Sequence, residues 1–190
     1  MMTDSESRKD KEELFAILKK EAFFREKITL SSGKESHYYI DARRVTLTSA
    51  GVYLCAKVMS ALIQEEEFEA IGGPTLGADP LLGALNVLSH QAGNPLKTFI
   101  IRKSPKSHGK QQQIEGPDIT PGSQVILIDD VATTGKAFLQ SLDVLAQNGI
   151  KASRAICLVD REEGAKEALA KKGCELVSIF TAKDFLTPST

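Results

Sequence analysis

Short apolar runs alternating with helical patterns constrain this chain more than any other feature. EAIGG (69–73), KTFII (97–101), VILI (125–128), RAICLV (154–159) and ELVSIF (175–180) read as strands. Residues 77–91, 136–148 and 162–172 carry apolar side chains at helical spacing between them. Strands separated by helices of about a dozen residues imply βαβ units and a mostly parallel sheet flanked by helices, an α/β fold. Such sheets take ligands at the carboxyl ends of their strands. Upstream, residues 12–24 place Leu14, Phe15, Leu18, Ala22 and Phe23 on one helical face, HYYID (37–41) reads as a short strand, and residues 49–64 form a further helix. Residues 102–119 show no periodicity. A structureless stretch of that length is uncommon in a compact domain unless it serves as a lid or binding loop.

The totals exclude several classes. A chain of 190 residues suits one domain with a substantial core. Its 42% hydrophobic and 26% charged residues are those of a soluble globular protein. A net charge of -1 gives no global field to recruit nucleic acid or an anionic membrane, so any bound anion must be held by local clusters. Cys55, Cys157 and Cys174 lack the spacing of a zinc site or a disulfide framework and are expected to be reduced and buried. The N-terminus is too polar for a secretory signal, and no apolar run approaches the roughly 20 residues of a membrane span. A soluble cytoplasmic protein is expected.

VILIDDVATTGKAF (125–138) carries the chemistry. Asp129 and Asp130 follow an apolar strand, at the end where ligand crevices lie. Carboxylates there accept hydrogen bonds from sugar hydroxyls or face a divalent cation. Ala132 to Gly135 then turn the chain into a helix whose first amides lack intrahelical partners. Those amides, the hydroxyls of Thr133 and Thr134 and the positive end of the helix dipole make a phosphate site. Acids for a polyol beside amides for a phosphate describe a sugar phosphate. The plainer alternative has the acids capping the helix and the glycine allowing a tight turn. A Walker A loop is excluded, because Gly135-Lys136 is followed by Ala137 and no glycine stands five residues before Gly135.

IDDVATTGKA resembles the phosphoribosyl-diphosphate (PRPP) motif of type I phosphoribosyltransferases, a Rossmann-like α/β fold. The resemblance implies that Asp129 and Asp130 contact the ribose hydroxyls and that Val131, Ala132, Thr133, Thr134, Gly135, Lys136 and Ala137 cradle the 5-phosphate. The basic stretch RKSPKSHGKQQQIEG (102–116) sharpens it. A cation-rich surface loop is often only solvated. Beside a sugar-phosphate site, though, mobile cations closing over a departing diphosphate stabilise the charge that develops and exclude water. His108, with an ordinary pKa near 6.5, adds a proton or hydrogen bond to that group. Arg102, Lys103, Lys106, His108 and Gly109 match the mobile catalytic loop of orotate phosphoribosyltransferases in order. The resemblance implies a loop over 102–116 that reaches the neighbouring subunit's site, hence a homodimer sharing Lys103 and the loop, with Lys106 most closely tied to catalysis.

Two further segments point to the base. ITLSSGKESHYYIDAR (28–43) resembles the family's N-terminal hood, spanning about residues 1–45, in which the pair matching Tyr38 and Tyr39 lines the base pocket. CLVDREEG (157–164) places Arg161 just after a strand, and a planar guanidinium suits the orotate carboxylate. The alternative for Arg161 is an ion pair with Glu162 or Glu163. Thr133 completes the expected orotate site, and IGGPTLGADP (71–80) resembles the glycine-rich loop that approaches the diphosphate. Ser31 and Gly77 stand where some relatives carry lysines, so neither role is carried over, and Lys34 is not promoted in their place. His37 and His90 are left structural. The resemblance implies orotate and PRPP as substrates and Mg2+ held through the diphosphate, with no direct protein ligand. The rivals are a purine or uracil phosphoribosyltransferase, and a PRPP-sensing regulator that binds nucleic acid.

Overall fold

A computed structural model of the chain describes residues 4–29, 35–63, 67–104 and 112–187. It opens with α1 (Asp4–Glu21), β1 (Phe23–Phe24), β2 (Ile28–Thr29), β3 (Glu35–Ser36), β4 (Tyr39–Ile40), α2 (Arg43–Thr46) and α3 (Ser49–Ile63). Then come β5 (Ala70–Pro74), α4 (Ala78–Gln91), β6 (Thr98–Ile101), β7 (Ile114–Glu115) and β8 (Gln124–Ala132). The chain continues through α5 (Lys136–Gln147), β9 (Lys151–Asp160), α6 (Ala165–Ala170), β10 (Glu175–Thr181) and α7 (Ala182–Leu186). Six strands form the main sheet in the order β10-β9-β8-β5-β6-β7, all parallel except for the antiparallel pair β6 and β7.

The sheet is buried on both faces, which is why its strands are continuous apolar runs rather than alternating ones. Ile126, Ile128, Ile156 and Leu158 pack with Leu14 and Leu18 of α1, Met59 of α3 and Leu81 and Leu85 of α4. The residues between them, Val125, Leu127, Ala155 and Cys157, pack on the other face with Phe138 and Leu145 of α5 and Leu169 of α6. The three cysteines are free and buried. Burial pushes the Cys55 thiol up to about 12 and that of Cys174 to about 11, so both stay protonated at neutral pH. No helix among the described residues is long and apolar enough to cross a membrane.

The chain reverses direction between β5 and β8. From β5 it steps outward to β6 and β7, then returns to the far side of β5 and proceeds through β8, β9 and β10. That reversal is the topological switch point at which open α/β sheets hold their ligands. The strand lengths deepen it. β8 runs beside β9 as far as Ala132 opposite Asp160, but its register with β5 stops at Leu127 opposite Gly72. Beyond Leu127 one side of β8 is open, and the acids lie there.

Several boundaries differ from the sequence reading. The strand expected over 125–128 extends to Ala132 and contains the acids, because pairing with β9 continues after the apolar run ends. The stretch 102–119 is not structureless throughout: the arm that leaves β6 after Ile101 is tied back to it where Ile114 and Glu115 pair antiparallel. The first helix starts at Asp4 and ends at Glu21, and Phe23–Phe24 pairs with Tyr39–Ile40 instead of continuing it. The helix expected over 162–172 is confined to Ala165–Ala170, since a tight turn occupies residues 160–164. In that turn the Glu162 amide donates to Asp160 Oδ1 at 2.9 Å, and Glu162 adopts a left-handed φ of 57°.

A line of rings ties the N-terminal elements to the chain's other end. Phe185 of α7 is fully buried, with its centroid 4.9 Å from Phe15 and 5.6 Å from Phe23. Phe23 stacks in turn on Tyr38 at 5.9 Å. Thr181 and Asp184 close a capping box at the start of α7, with the Thr181 amide 2.7 Å from Asp184 Oδ2.

Candidate active site

At the switch point lies a cleft of about 800 Å³. Its floor is the open side of β8. Asp129 is 7% exposed and accepts from the Asp130 amide at 2.9 Å, while Asp130 Oδ1 accepts from the Val131 amide at 2.7 Å. Each carboxylate thus satisfies the next backbone amide where no β5 partner exists. Burial first, and the charge of Asp130 second, push Asp129 well above the ordinary carboxylate range. Burial also raises Asp130, against the opposing pull of the Val131 amide and the positive charge of Arg43. The pair is therefore held in a state that favours hydrogen-bonding partners or a cation.

The loop after β5 forms the opposite wall. A β-carbon on Gly77 would lie 2.2 Å from Asp129 Oδ1 and 2.4 Å from Asp130 Oδ1. Gly77 has an ordinary φ of -61°, so close approach rather than backbone freedom requires glycine there. The Thr75-Leu76 peptide beside it is cis. Asp79 follows in the first turn of α4, where burial raises its carboxyl.

The far end of β8 feeds α5. Gly135 has a φ of 77°, and a β-carbon on it would meet Leu169 Cδ1 at 2.7 Å, so both conformation and packing demand glycine. The free amides of the first turn of α5 follow directly, and Thr133, Thr134, Lys136 and Ala137 all line the cleft.

Arg161 closes the third side. Its amide donates to the Ala132 carbonyl at 2.8 Å, locking the end of β9 to the end of β8. Its side chain is 5% exposed, lies over the Tyr38 ring at 4.8 Å, and donates through Nη2 to Ser36 Oγ at 3.4 Å. The same Nη2 pairs with Glu163 Oε1 at 2.8 Å, whereas the buried Nε finds no hydrogen-bond partner among the described residues. Glu162, the other acid named as a partner, pairs instead with Lys183 at 2.6 Å.

The structure brings most of the expected residues to one cleft. Tyr39, Val131 and Arg161 line it with the acids, and Arg102 and Lys103 line it from the root of the arm, where Arg102 N donates to Gln113 O at 2.8 Å. Tyr38, Ala132 and Gly135 are not part of the lining: Tyr38 lies under Arg161, Ala132 offers its carbonyl to that residue, and Gly135 packs against α6. Lys106, His108, Gly109, Ser31 and Lys34 lie outside the described residues. His37 and His90 are exposed.

Sequence reasoning passed over Asp41 and Arg43. Both line the cleft, with Arg43 Nε 2.9 Å from Asp41 Oδ1. The hydrogen bond and charge of Asp41 raise Arg43, and Asp130 adds to the effect. The signal was present as the oppositely charged pair that follows Tyr39-Ile40 within one helical turn.

Three comparisons bear on this arrangement. Residues 45–185 match the phosphoribosyl transferase domain family. The chain is 38% identical over 191 residues to the orotate phosphoribosyltransferase of Rhodopirellula baltica, with 97% of this chain and 98% of that one covered. It is 41% identical over 157 residues to the orotate phosphoribosyltransferase of Aquifex aeolicus, covering 83% and 85%. Among solved structures, Mycobacterium tuberculosis orotate phosphoribosyltransferase in complex with PRPP matches with a TM-score of 0.77 at 32% identity, covering 94% of this chain and 99% of that one.

Proposed function

The chain belongs to the phosphoribosyl transferase family, among the orotate phosphoribosyltransferases, and from this premise we propose that its cleft joins orotate to PRPP, yielding orotidine 5'-phosphate and diphosphate. The observation that carries the base assignment is Arg161, a buried guanidinium in the same cleft as the acid pair, with a donor still to be satisfied. A bidentate carboxylate fits that fork, and a purine brings none.

In this reading a ring nitrogen of orotate, having lost its proton, forms the bond to the anomeric carbon of PRPP. The bond from that carbon to the diphosphate breaks with inversion, and its electron pair leaves with the diphosphate. Asp129 and Asp130 accept from the ribose hydroxyls and orient the sugar. The first amides of α5 and the hydroxyls of Thr133 and Thr134 hold the 5-phosphate at the positive helix end. Arg161 fixes the carboxylate, Tyr39 frames the base, and Tyr38 backs the guanidinium from beneath. Among the described residues no group of three or more side chains gathers that would hold a metal ion. Mg2+ carried on the diphosphate needs no direct protein ligand, and two hard carboxylates beside it suit the waters that Mg2+ keeps. A divalent cation on the diphosphate supplies neutralisation of the leaving charge, and Asp129 and Asp130 are the acids that would face it.

The chain works as one phosphoribosyltransferase unit: a base-binding hood to about residue 45, a core from 46 to 190, and a catalytic arm over 102–116. The substrates, orotate and PRPP, are soluble metabolites, consistent with a cytoplasmic enzyme. We assign the arm's cations Arg102, Lys103, Lys106 and His108 to the diphosphate, and take the working form to be a homodimer in which the arm reaches the partner's cleft; Lys103, expected to cross with it, lines its own protomer's cleft in the single chain. Lys106→Ala is expected to lower kcat at least about tenfold while moving the KM for PRPP less, because its contact strengthens in the transition state. Turnover equal to the parent's would remove Lys106 from the mechanism. Mixing Lys106→Ala with an Asp130→Asn variant is expected to restore activity, since a mixed dimer sharing arms carries one intact site. Failure of subunit-exchanged mixtures to regain turnover would place the arm in its own protomer's site.

The deciding assay follows orotate consumption in the ultraviolet with PRPP and Mg2+, in competition with uracil, hypoxanthine and adenine. Turnover of orotate is the expected result, and turnover of a purine alone would overturn the assignment.

A further inference from the structure

Glu163 has no part in the reaction as described, yet its carboxylate holds the group proposed to grip the substrate carboxylate. The ion pair is incomplete. Glu163 uses one oxygen on Nη2 at 2.8 Å and leaves Nε, on the same edge of the guanidinium, without a hydrogen-bond partner among the described residues. A planar carboxylate with two free oxygens would take Nε and Nη2 together, satisfying the buried donor that Glu163 does not reach. Nη2 has two N–H groups and already meets both Ser36 Oγ and Glu163 Oε1, so an incoming carboxylate displaces one of them, and the charged, partly exposed Glu163 is the one that repels it.

Glu163 is also not needed to place Arg161. The Arg161 amide is fixed to Ala132 O at 2.8 Å, its guanidinium is stacked on Tyr38 at 4.8 Å, and Ser36 Oγ accepts from it at 3.4 Å. The Glu163 side chain is 26% exposed against 5% for Arg161, so the acid has solvent to turn into while the base does not. It projects from the turn that the Asp160 carboxylate and the left-handed Glu162 hold in place, independently of any ligand.

Resting on the assignment of Arg161 to the orotate carboxylate, we propose that Glu163 is a displaceable internal stand-in for that carboxylate. It neutralises the buried guanidinium in the empty cleft, yields to orotate on binding, and re-forms its pair as the carboxylated product departs. The stand-in weakens orotate and orotidine 5'-phosphate alike, because each must displace it. It keeps Arg161 from standing as an unpaired buried charge between turnovers.

The test compares Glu163→Gln, Glu163→Asp and Arg161→Ala with the full-length parent. The readouts are the KM for orotate at saturating PRPP, the dissociation constant of orotidine 5'-phosphate by calorimetry, and thermal unfolding. Glu163→Gln is expected to tighten both ligands roughly two- to fivefold, the scale of a partly exposed ion pair. Glu163→Asp, which keeps a carboxylate, is expected to stay close to the parent. In an Arg161→Ala background Glu163→Gln should have a much smaller effect. Unchanged or weaker binding in Glu163→Gln, with folding intact, overturns the stand-in and makes Glu163 a support for Arg161. Parent-like affinity for both ligands in Arg161→Ala overturns the assignment of Arg161 itself, a separate failure.

Discussion

Asp129→Asn is expected to melt at a higher temperature than the parent at pH 7 and yet to lose roughly 10- to 100-fold in kcat/KM for PRPP. The stability gain follows from linkage. Burial and the neighbouring Asp130 raise the folded-state pKa of Asp129 above its unfolded value, so the native state binds the proton more tightly. Stability contributed by the protonated form is fully present below the unfolded value, about 4. It is lost as pH rises through the folded value. Asparagine never ionises and escapes that loss, while its side-chain oxygen still accepts from the Asp130 amide. The advantage in melting temperature should therefore shrink as the pH is lowered toward 4. The activity falls because charge-assisted acceptance from a hydroxyl contributes about 1.5–3 kcal/mol, and asparagine removes the charge. Melting curves from pH 4 to 8, paired with initial rates, check both parts. Lower stability at pH 7, or rates equal to the parent's, would separate Asp129 from the strain or from the substrate.

Arg161→Ala is the second large effect. Its loss removes a bidentate grip on a carboxylate, about 3 kcal/mol, and should raise the KM for orotate roughly 100-fold. The KM for PRPP should change little, because the acids and the α5 turn proposed to contact the sugar phosphate do not depend on the Arg161 guanidinium. Steady-state kinetics with each substrate varied in turn give the answer. Equal weakening of both substrates would mean that Arg161 supports the β8–β9 junction through its packing rather than meeting the base.

The parts visible in the sequence are those whose signal is local. VILI and RAICLV announce themselves because a strand buried on both faces must be apolar at every position. The turn at Gly135 is legible because left-handed backbone and a helix start leave a chemical mark. The true length of β8 was hidden: Asp129 and Asp130 end the apolar pattern but not the pairing, which is decided by β9 more than twenty residues away. The two-residue strands of the hood carry no periodicity, and Phe23, Tyr38 and Phe185 find each other across most of the chain. Glu163 was legible as one of two partners for Arg161, but choosing between it and Glu162 needed the left-handed turn that sends Glu162 to Lys183.

The unequal registers of β8 have a mechanical meaning as well. Its register with β5 spans three residue pairs, against eight with β9, so the sheet is two half-sheets meeting at a narrow seam. The acids belong to one half, and the loop at Gly77 to the other. A sugar diphosphate seated between them, as proposed, would work as a rivet, and resistance to pulling the two halves apart would become a measure of occupancy.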